Sequence, residues 1–329
     1  MPLTFLHQNI VDMKVDAIVN AANTNLLKGG GVCGAIFNAA GMNQLHEACQ
    51  KLAPIETGQA VITPGFNLPS KYIIHAVGPI YTDGLHNEKL LLSDAYINSM
   101  RCAIDNHCES IAFPLLSSGI YGYPKAEALS IATDSIKSFL ETHELDVYLM
   151  IYDTTPFEVD RELLKQVNEY IRFNYEEEPL ELKQVLYMEY QRSAAPFYQE
   201  DKSSSIEKEK EPWLSHLDES FSQSLLKLID SKGKTDIEVY KKANLDRKLF
   251  SKIRSDKGYM PSKTTALALA IALELSYEET NDLLRCAGFT LSKSQKLDVI
   301  VTYFIKHKDY DVYKINTVLF SYDLKTLGY

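Results

Sequence analysis

Apolar and polar positions divide the chain into two regimes. Up to about residue 173, short apolar runs alternate with segments of helical period, and beyond residue 213 only the helical period continues. The runs at residues 3 to 6, 15 to 19, 57 to 65, 72 to 76, 111 to 114 and 147 to 151 predict strands. Ile111-Ala112-Phe113-Pro114 has no polar alternate, as expected of a strand covered on both faces. Helices are predicted from Cys33 to Leu52 (Ala35, Ile36, Ala39, Leu45 and Ala48 on compatible faces), from Lys89 to His107 and from Lys125 to Glu141. A further helix from about Pro156 to Arg172 is expected to close the first domain. The order is that of an α/β domain.

Residues 16 to 41, DAIVNAANTNLLKGGGVCGAIFNAAG, carry the densest candidate chemistry. An apolar strand runs into Asn20 and Asn23, then three glycines, then a helix beginning near Cys33. Main-chain N–H groups at the mouth of a helix, next to the positive end of its dipole, favour an anion such as a diphosphate. The two asparagines are neutral donor-acceptors suited to ribose hydroxyls. Gly29-x-Gly31-x-x-Gly34 also matches a dinucleotide-binding fingerprint. That fingerprint follows its strand directly, whereas AANTNLLK intervenes here and a Pro54/Gly58 break follows the helix, so the Rossmann reading is disfavoured.

The stretch resembles the signature of the macrodomain family, whose members bind ADP-ribose and in many cases hydrolyse it from proteins or nucleic acids. Three later motifs agree in order: Ile73-Ile74-His75-Ala76-Val77-Gly78-Pro79, the segment Ser110 to Pro124 containing SSGIYG, and Leu149-Met150-Ile151-Tyr152-Asp153. The resemblance covers residues 1 to about 173 and implies a three-layer domain around a mixed sheet. It implies ligand contacts from Asn9 and Ile10, from Asn23, Gly30, Gly31 and Val32, and from Ser117, Ser118, Gly119, Ile120 and Tyr121. Tyr152 would stack on adenine, with Phe157 a weaker candidate, and Tyr121 would cover the distal ribose. Asn9 stands where the family usually has an aspartate that accepts from the adenine amino group. Cys33 stands where hydrolytic relatives have an aspartate that helps position the attacking water. A packing or water-gating role is therefore expected of the thiol, alongside Asn23 and Tyr121 as the residues closest to catalysis. His75, inside an apolar strand, reads as a core histidine. Two functions fit: removal of mono-ADP-ribose from a modified target, or non-catalytic sensing of ADP-ribose.

Composition limits the rest of the chain. Residues 174 to 212, with EEE at 176 to 178 and DKSSSIEKEKEP further on, read as a solvated linker in which Leu180 to Tyr190 has helical character. Residues 213 to 329 hold 18 Lys and Arg against 15 Asp and Glu, about +3, within a chain of net charge -10. The remainder is therefore near -13, so only the second half is electrostatically suited to nucleic acid. Its short helices, with a turn at Asn244-Leu245-Asp246, resemble the phage-repressor-like helix-turn-helix class. That resemblance implies contacts to DNA or RNA from Arg247, Lys248, Lys252 and Arg254, with Phe250 and Ile253 facing the core, and a protein-docking helical module is the alternative. Five cysteines without CxxC spacing support neither a disulfide framework nor a zinc site, and no metal or cofactor is expected. With no long apolar run and no signal-like start, a cytoplasmic protein without membrane contact is expected.

Overall fold

A computed structural model describes residues 2–151, 161–175, 219–256 and 258–328. Six strands, β1 (Leu3–Leu6), β2 (Ala17–Ala21), β3 (Ala60–Pro64), β4 (Tyr72–Ala76), β5 (Ser110–Pro114) and β6 (Asp146–Met150), form one sheet in the order β1-β6-β5-β2-β4-β3. All neighbours pair parallel except β3 with β4. Strand residues alternate between two cores: Val19, Ile74 and Phe113 face one, while Ile18, Ile73 and Ala112 face the other. Helices α1 (Gly31–Ala40) and α2 (Met42–Gln50) cover the second face, and α3 (Glu88–Asp105) and α4 (Lys125–Thr142) cover the first. Phe37 and Phe113 are fully buried on opposite sides, each worth about 2–3 kcal/mol of transfer free energy. This is the mixed-sheet, three-layer domain that the sequence implied.

The single helix expected from Cys33 to Leu52 is two helices. Gly41, at φ 103°, lies in a conformation no helix contains, and the chain turns there between α1 and α2. The apolar spacing survives the break, which is why periodicity alone reads straight through it.

A second correction concerns the helix expected to close this domain. Helix α5 (Arg161–Asn174) instead buries Val167 and Ile171 in the core of the helical half. It packs along a helix from Lys296 to Lys306, where Tyr303 donates to Gln166 Oε1 at 2.9 Å. Residues 176 to 212 of the expected linker lie outside the described residues, as do Tyr152 and Phe157.

The helical half continues with α6 (Phe221–Ser231), α7 (Asp236–Lys242), α8 (Arg247–Ser255), α9 (Lys263–Ala272), α10 (Tyr277–Arg285), α11 (Lys296–Lys306) and α12 (Val312–Ser321). Reciprocal capping boxes start α6 at Ser220 with Gln223, α7 at Thr235 with Glu238, and α10 at Ser276 with Glu279. Thr235 is thus the cap of α7, and Asp236 its first residue. Helix α9 is apolar nearly throughout and buried from Thr265 to Ala272, as a central helix surrounded by others should be. No helix among the described residues is long and apolar enough to cross a membrane.

The halves are fastened together along the edge of the sheet. Leu3 N donates to Asn244 Oδ1 at 2.8 Å, and Asn244 Nδ2 donates to Leu3 O at 3.0 Å. One side-chain amide so pairs both outward backbone groups of Leu3 on edge strand β1, in a contact that is buried. Lys241 Nζ donates to the carbonyls of Leu140 and Glu141 at the end of α4, at 3.0 and 2.7 Å.

Candidate functional site

The strands β2, β5 and β6 all end on one side of the sheet, and their ends open into a cleft of about 700 Å³. Two glycine-bearing loops form its walls. The first leaves β2 and enters α1; Asn9, Asn23, Gly30, Gly31, Val32 and Cys33 line the cleft on that side. The second leaves β5, and from it Ser117, Ser118, Gly119, Ile120 and Tyr121 line the opposite side. The loops meet: a Cβ at Gly30 would lie 3.4 Å from Cδ1 of Ile120. Ile120 is 83% exposed, an apolar side chain left at the lip of the opening.

The first loop is wound by its own side chains. Asn23 Nδ2 donates to Leu27 O at 2.7 Å, and Leu27 N donates back to Asn23 Oδ1 at 3.1 Å. Gly29 N donates to the Sγ of Cys33 at 3.3 Å, and that thiol faces Leu27 O at 3.9 Å. Cys33 is therefore a buried staple holding the glycines against the helix that follows. At Gly31, which lines the cleft, the backbone takes φ +59°, and a Cβ there would meet nothing within 4 Å. No side chain caps the start of α1, and its first-turn amide groups have no carbonyl to bond within the helix. They are the donors an anion would engage, reinforced by the helix dipole.

The second loop is closed by Gly122 N donating to Gly119 O and Tyr123 N donating to Ser117 O, both at 3.0 Å. Ser118 donates to Leu115 O at 2.8 Å, and Tyr81 N donates to Tyr121 O at 2.9 Å. Ser117, at φ +61°, packs its buried hydroxyl where a side chain on Gly78 would stand. Burial pushes the Tyr121 phenol upward, with the neighbouring Cys33 sulfur adding to the effect, so Tyr121 is a neutral ring and donor.

The side chains of two residues expected near the ligand point elsewhere. Ile10 is buried at 1% exposure in the core below the cleft, where an apolar side chain belongs. Asn20 faces the interior of the sheet, where its Nδ2 meets Nδ1 of His75 at 3.0 Å. His75 Nε2 meets Thr63 Oγ1 at 2.9 Å, and burial holds its pKa down at about 4. The histidine is a neutral core residue, as its sequence context indicated, and Asn20 is its partner. Conversely, Lys125 at the start of α4 lines the cleft, as do Gly78, Met150 and Ile151 from the motifs that carry the resemblance, although no ligand contact was expected of them. Lys125 carries a legible signal, since it is the first helical residue after the SSGIYGYP loop.

No Asp, Glu or His is among the described residues lining the cleft, and Lys125 is the one charged side chain among them. The cleft suits a ligand held by main-chain donors, apolar walls and a few neutral polar groups. Asp83, His86 and Glu88 cluster outside it, but the Glu88 carboxylate is already filled by the amide groups of Thr82, Gly84 and His86 at 3.3, 3.3 and 2.6 Å. Burial works against its charge, yet these donors prevail and hold the carboxyl at about 2.

The expected nucleic-acid residues lie on α8, whose Arg247, Lys248, Lys252 and Arg254 are all exposed. Lys248 pairs with Glu109 of the first half at 3.2 Å, Arg254 pairs with Asp236, and Lys252 lies 5.5 Å from the centre of the Tyr259 ring. Phe250 and Ile253 face the core, as expected.

Main-chain donors at the carboxyl ends of parallel strands stand where open α/β sheets place their ligands. The macro domain family model matches residues 19–132. The O-acetyl-ADP-ribose deacetylase of Escherichia fergusonii is 47% identical over 167 residues, 49% of this chain and 94% of that protein. A macro domain-containing protein of Lactiplantibacillus plantarum is 50% identical over 137 residues, 42% of this chain and 79% of that protein. Among solved structures, the Oceanobacillus iheyensis macrodomain with ADP is 37% identical, with 50% of this chain and 90% of that one covered at a TM-score of 0.45. This chain belongs to the macro domain family.

Proposed function

We propose that the cleft binds ADP-ribose with its diphosphate between the two glycine loops, and that the protein hydrolyses the bond joining mono-ADP-ribose to a modified protein or nucleic acid. The observation that carries this reading is the meeting of Gly30 and Ile120 over one 700 Å³ cleft, a volume suited to a ligand of that size. With no carboxylate or imidazole among the described residues lining the cleft, catalysis rests on positioning rather than on a strong side-chain base. Asn23 keeps one amide hydrogen and one lone pair beyond its bonds to Leu27, and these orient the distal ribose. A substrate phosphate assists a water that attacks the anomeric carbon of that ribose. Cys33 acts by packing, since its sulfur is engaged with Gly29 and Leu27.

The name of the Escherichia fergusonii relative makes an acetyl ester on the same ribose a second substrate to test. The purified chain is to be incubated with a mono-ADP-ribosylated protein, ADP-ribosylated DNA and O-acetyl-ADP-ribose, with release of ADP-ribose measured. Release from none of them, together with tight calorimetric binding of ADP-ribose, would leave a non-catalytic sensor.

For the second half the reading is a helix-turn-helix-like module to which α5 contributes, the charged segment that follows α5 in the chain linking it to α6 and the helices beyond. Helices α7 and α8 enclose its turn, and DNA or RNA would meet Arg247, Lys248, Lys252 and Arg254. Exposure of these four along one helix supports it. Wild-type chain that fails to bind DNA or RNA at low salt would replace this with a protein-docking module.

A further inference from the structure

The Escherichia fergusonii relative is almost wholly used up by a match to 49% of this chain, so half of this chain has no counterpart in it. That half nevertheless reaches into the first domain. Phe320, near the end of α12, is 7% exposed and belongs to the same core cluster as Leu3 and Phe5 of β1. Its ring stacks on His7, with centroids 4.4 Å apart and planes at 22°, and tilts against Phe5 at 5.9 Å. Asp323 approaches the other side of this contact, its Oδ1 3.9 Å from His7 Nε2. The start of α12 is held as well, by Lys137 of α4 paired with Asp311 at 3.1 Å and lying over the Tyr313 ring at 4.4 Å.

What lies next to His7 gives the contact its meaning. Strand β1 ends at Leu6, whose carbonyl accepts from Ile151 N at 2.9 Å, and Ile151 lines the cleft. Two residues beyond His7 is Asn9, also lining the cleft, which starts the short 3-10 turn Ile10–Asp12 by accepting from Asp12 N at 3.1 Å. The turn that presents Asn9 thus stands between the sheet, to which Leu6 ties it, and the helical half, which grips it through a stacked ring. Asn244, bonded to both backbone groups of Leu3, fixes the other end of the same strand. Strand β1 and its exit are clamped at two points by the half of the chain that supplies none of the cleft lining among the described residues.

We propose that the helical half is a built-in support of the ADP-ribose site, with Phe320 and His7 as positioning residues that hold the 7–9 turn and so place Asn9 for the bound ligand. This rests on the proposed binding of ADP-ribose and adds that its affinity is set partly from outside the cleft. Linkage makes the effect reciprocal: ADP-ribose in the cleft tightens the docking of α12.

The test uses the full chain. His7→Ala, an exposed site that leaves no cavity in the core, is expected to raise the calorimetric Kd for ADP-ribose about three- to tenfold and the KM for hydrolysis alike, leaving kcat within about twofold. His7→Phe keeps the stacked ring and restores the wild-type Kd. Without ligand, the Asp12 amide exchanges hydrogen faster in His7→Ala than in the wild type. Phe320→Ala has the same effects if it folds; the His7 pair decides the matter if it does not. Wild-type binding that His7→Ala leaves unchanged overturns this inference alone. Absence of binding by the wild type overturns the proposed function and the inference together.

Discussion

Gly31→Glu, set against Gly31→Ala, separates backbone strain from occupation of the cleft. Both place a Cβ on a residue at φ +59°, a strain of about 1–2 kcal/mol that appears as lost folding stability. Neither Cβ meets a neighbour within 4 Å, so no clash adds to it. Only glutamate sends a carboxylate into the space assigned to the diphosphate. Like charges about 4 Å apart at an effective dielectric near 20 repel by about 4 kcal/mol, which corresponds to about a thousandfold in affinity. Calorimetry with ADP-ribose should therefore show Gly31→Ala within about tenfold of the wild type and Gly31→Glu about three orders of magnitude weaker. Urea unfolding should show similar stability losses for the two. Gly31→Glu binding as tightly as Gly31→Ala would refute the placement of the diphosphate at this loop.

Three further predictions follow from other parts of the fold. Cys33→Ala removes the acceptor for Gly29 N and should cost about 1 kcal/mol in urea unfolding, while turnover stays within about tenfold of wild type; complete loss of turnover in a folded variant would show a covalent role. His75 is held at about 4 when folded against about 6.5 unfolded, so below pH 6.5 the unfolded chain takes up a proton that the folded protein refuses. Its contribution is full above pH 6.5 and is lost as the pH falls towards 4, by up to about 3 kcal/mol, so urea midpoints at pH 7 and pH 5 should differ more in wild type than in His75→Gln. Asn244→Ala strips both backbone groups of Leu3 of their partner in a buried contact and should destabilise the chain by about 3 kcal/mol, measured by denaturant unfolding; a loss below 0.5 kcal/mol would show that water replaces the clamp.

The sheet was legible because its strands are covered on both faces and so read as short, continuous apolar runs, as at Ile111–Phe113. The cleft was legible because glycines and small polar residues follow two of those runs directly. What escaped depended on partners distant in sequence. Asn20 was assigned to the ligand because it precedes the glycine loop, yet it lies in register with His75 on the neighbouring strand, and two polar residues in apolar strands were the signal that they satisfy each other. Helix α5 shows an apolar stripe that periodicity detects, but periodicity does not say which of two cores receives it. The clamp from Asn244 to Leu3 spans 241 residues and leaves no local trace, since an asparagine in a helix-connecting turn has an ordinary local use.

The most direct measurement is a crystal structure of the full chain with ADP-ribose bound. The diphosphate is expected between residues 29–33 and 117–121, within hydrogen-bonding distance of main-chain amides from both loops, with Asn9 towards one end of the ligand and Asn23 towards the other. ADP-ribose seated outside this cleft, or held there by side chains with neither loop's amides engaged, would contradict this placement.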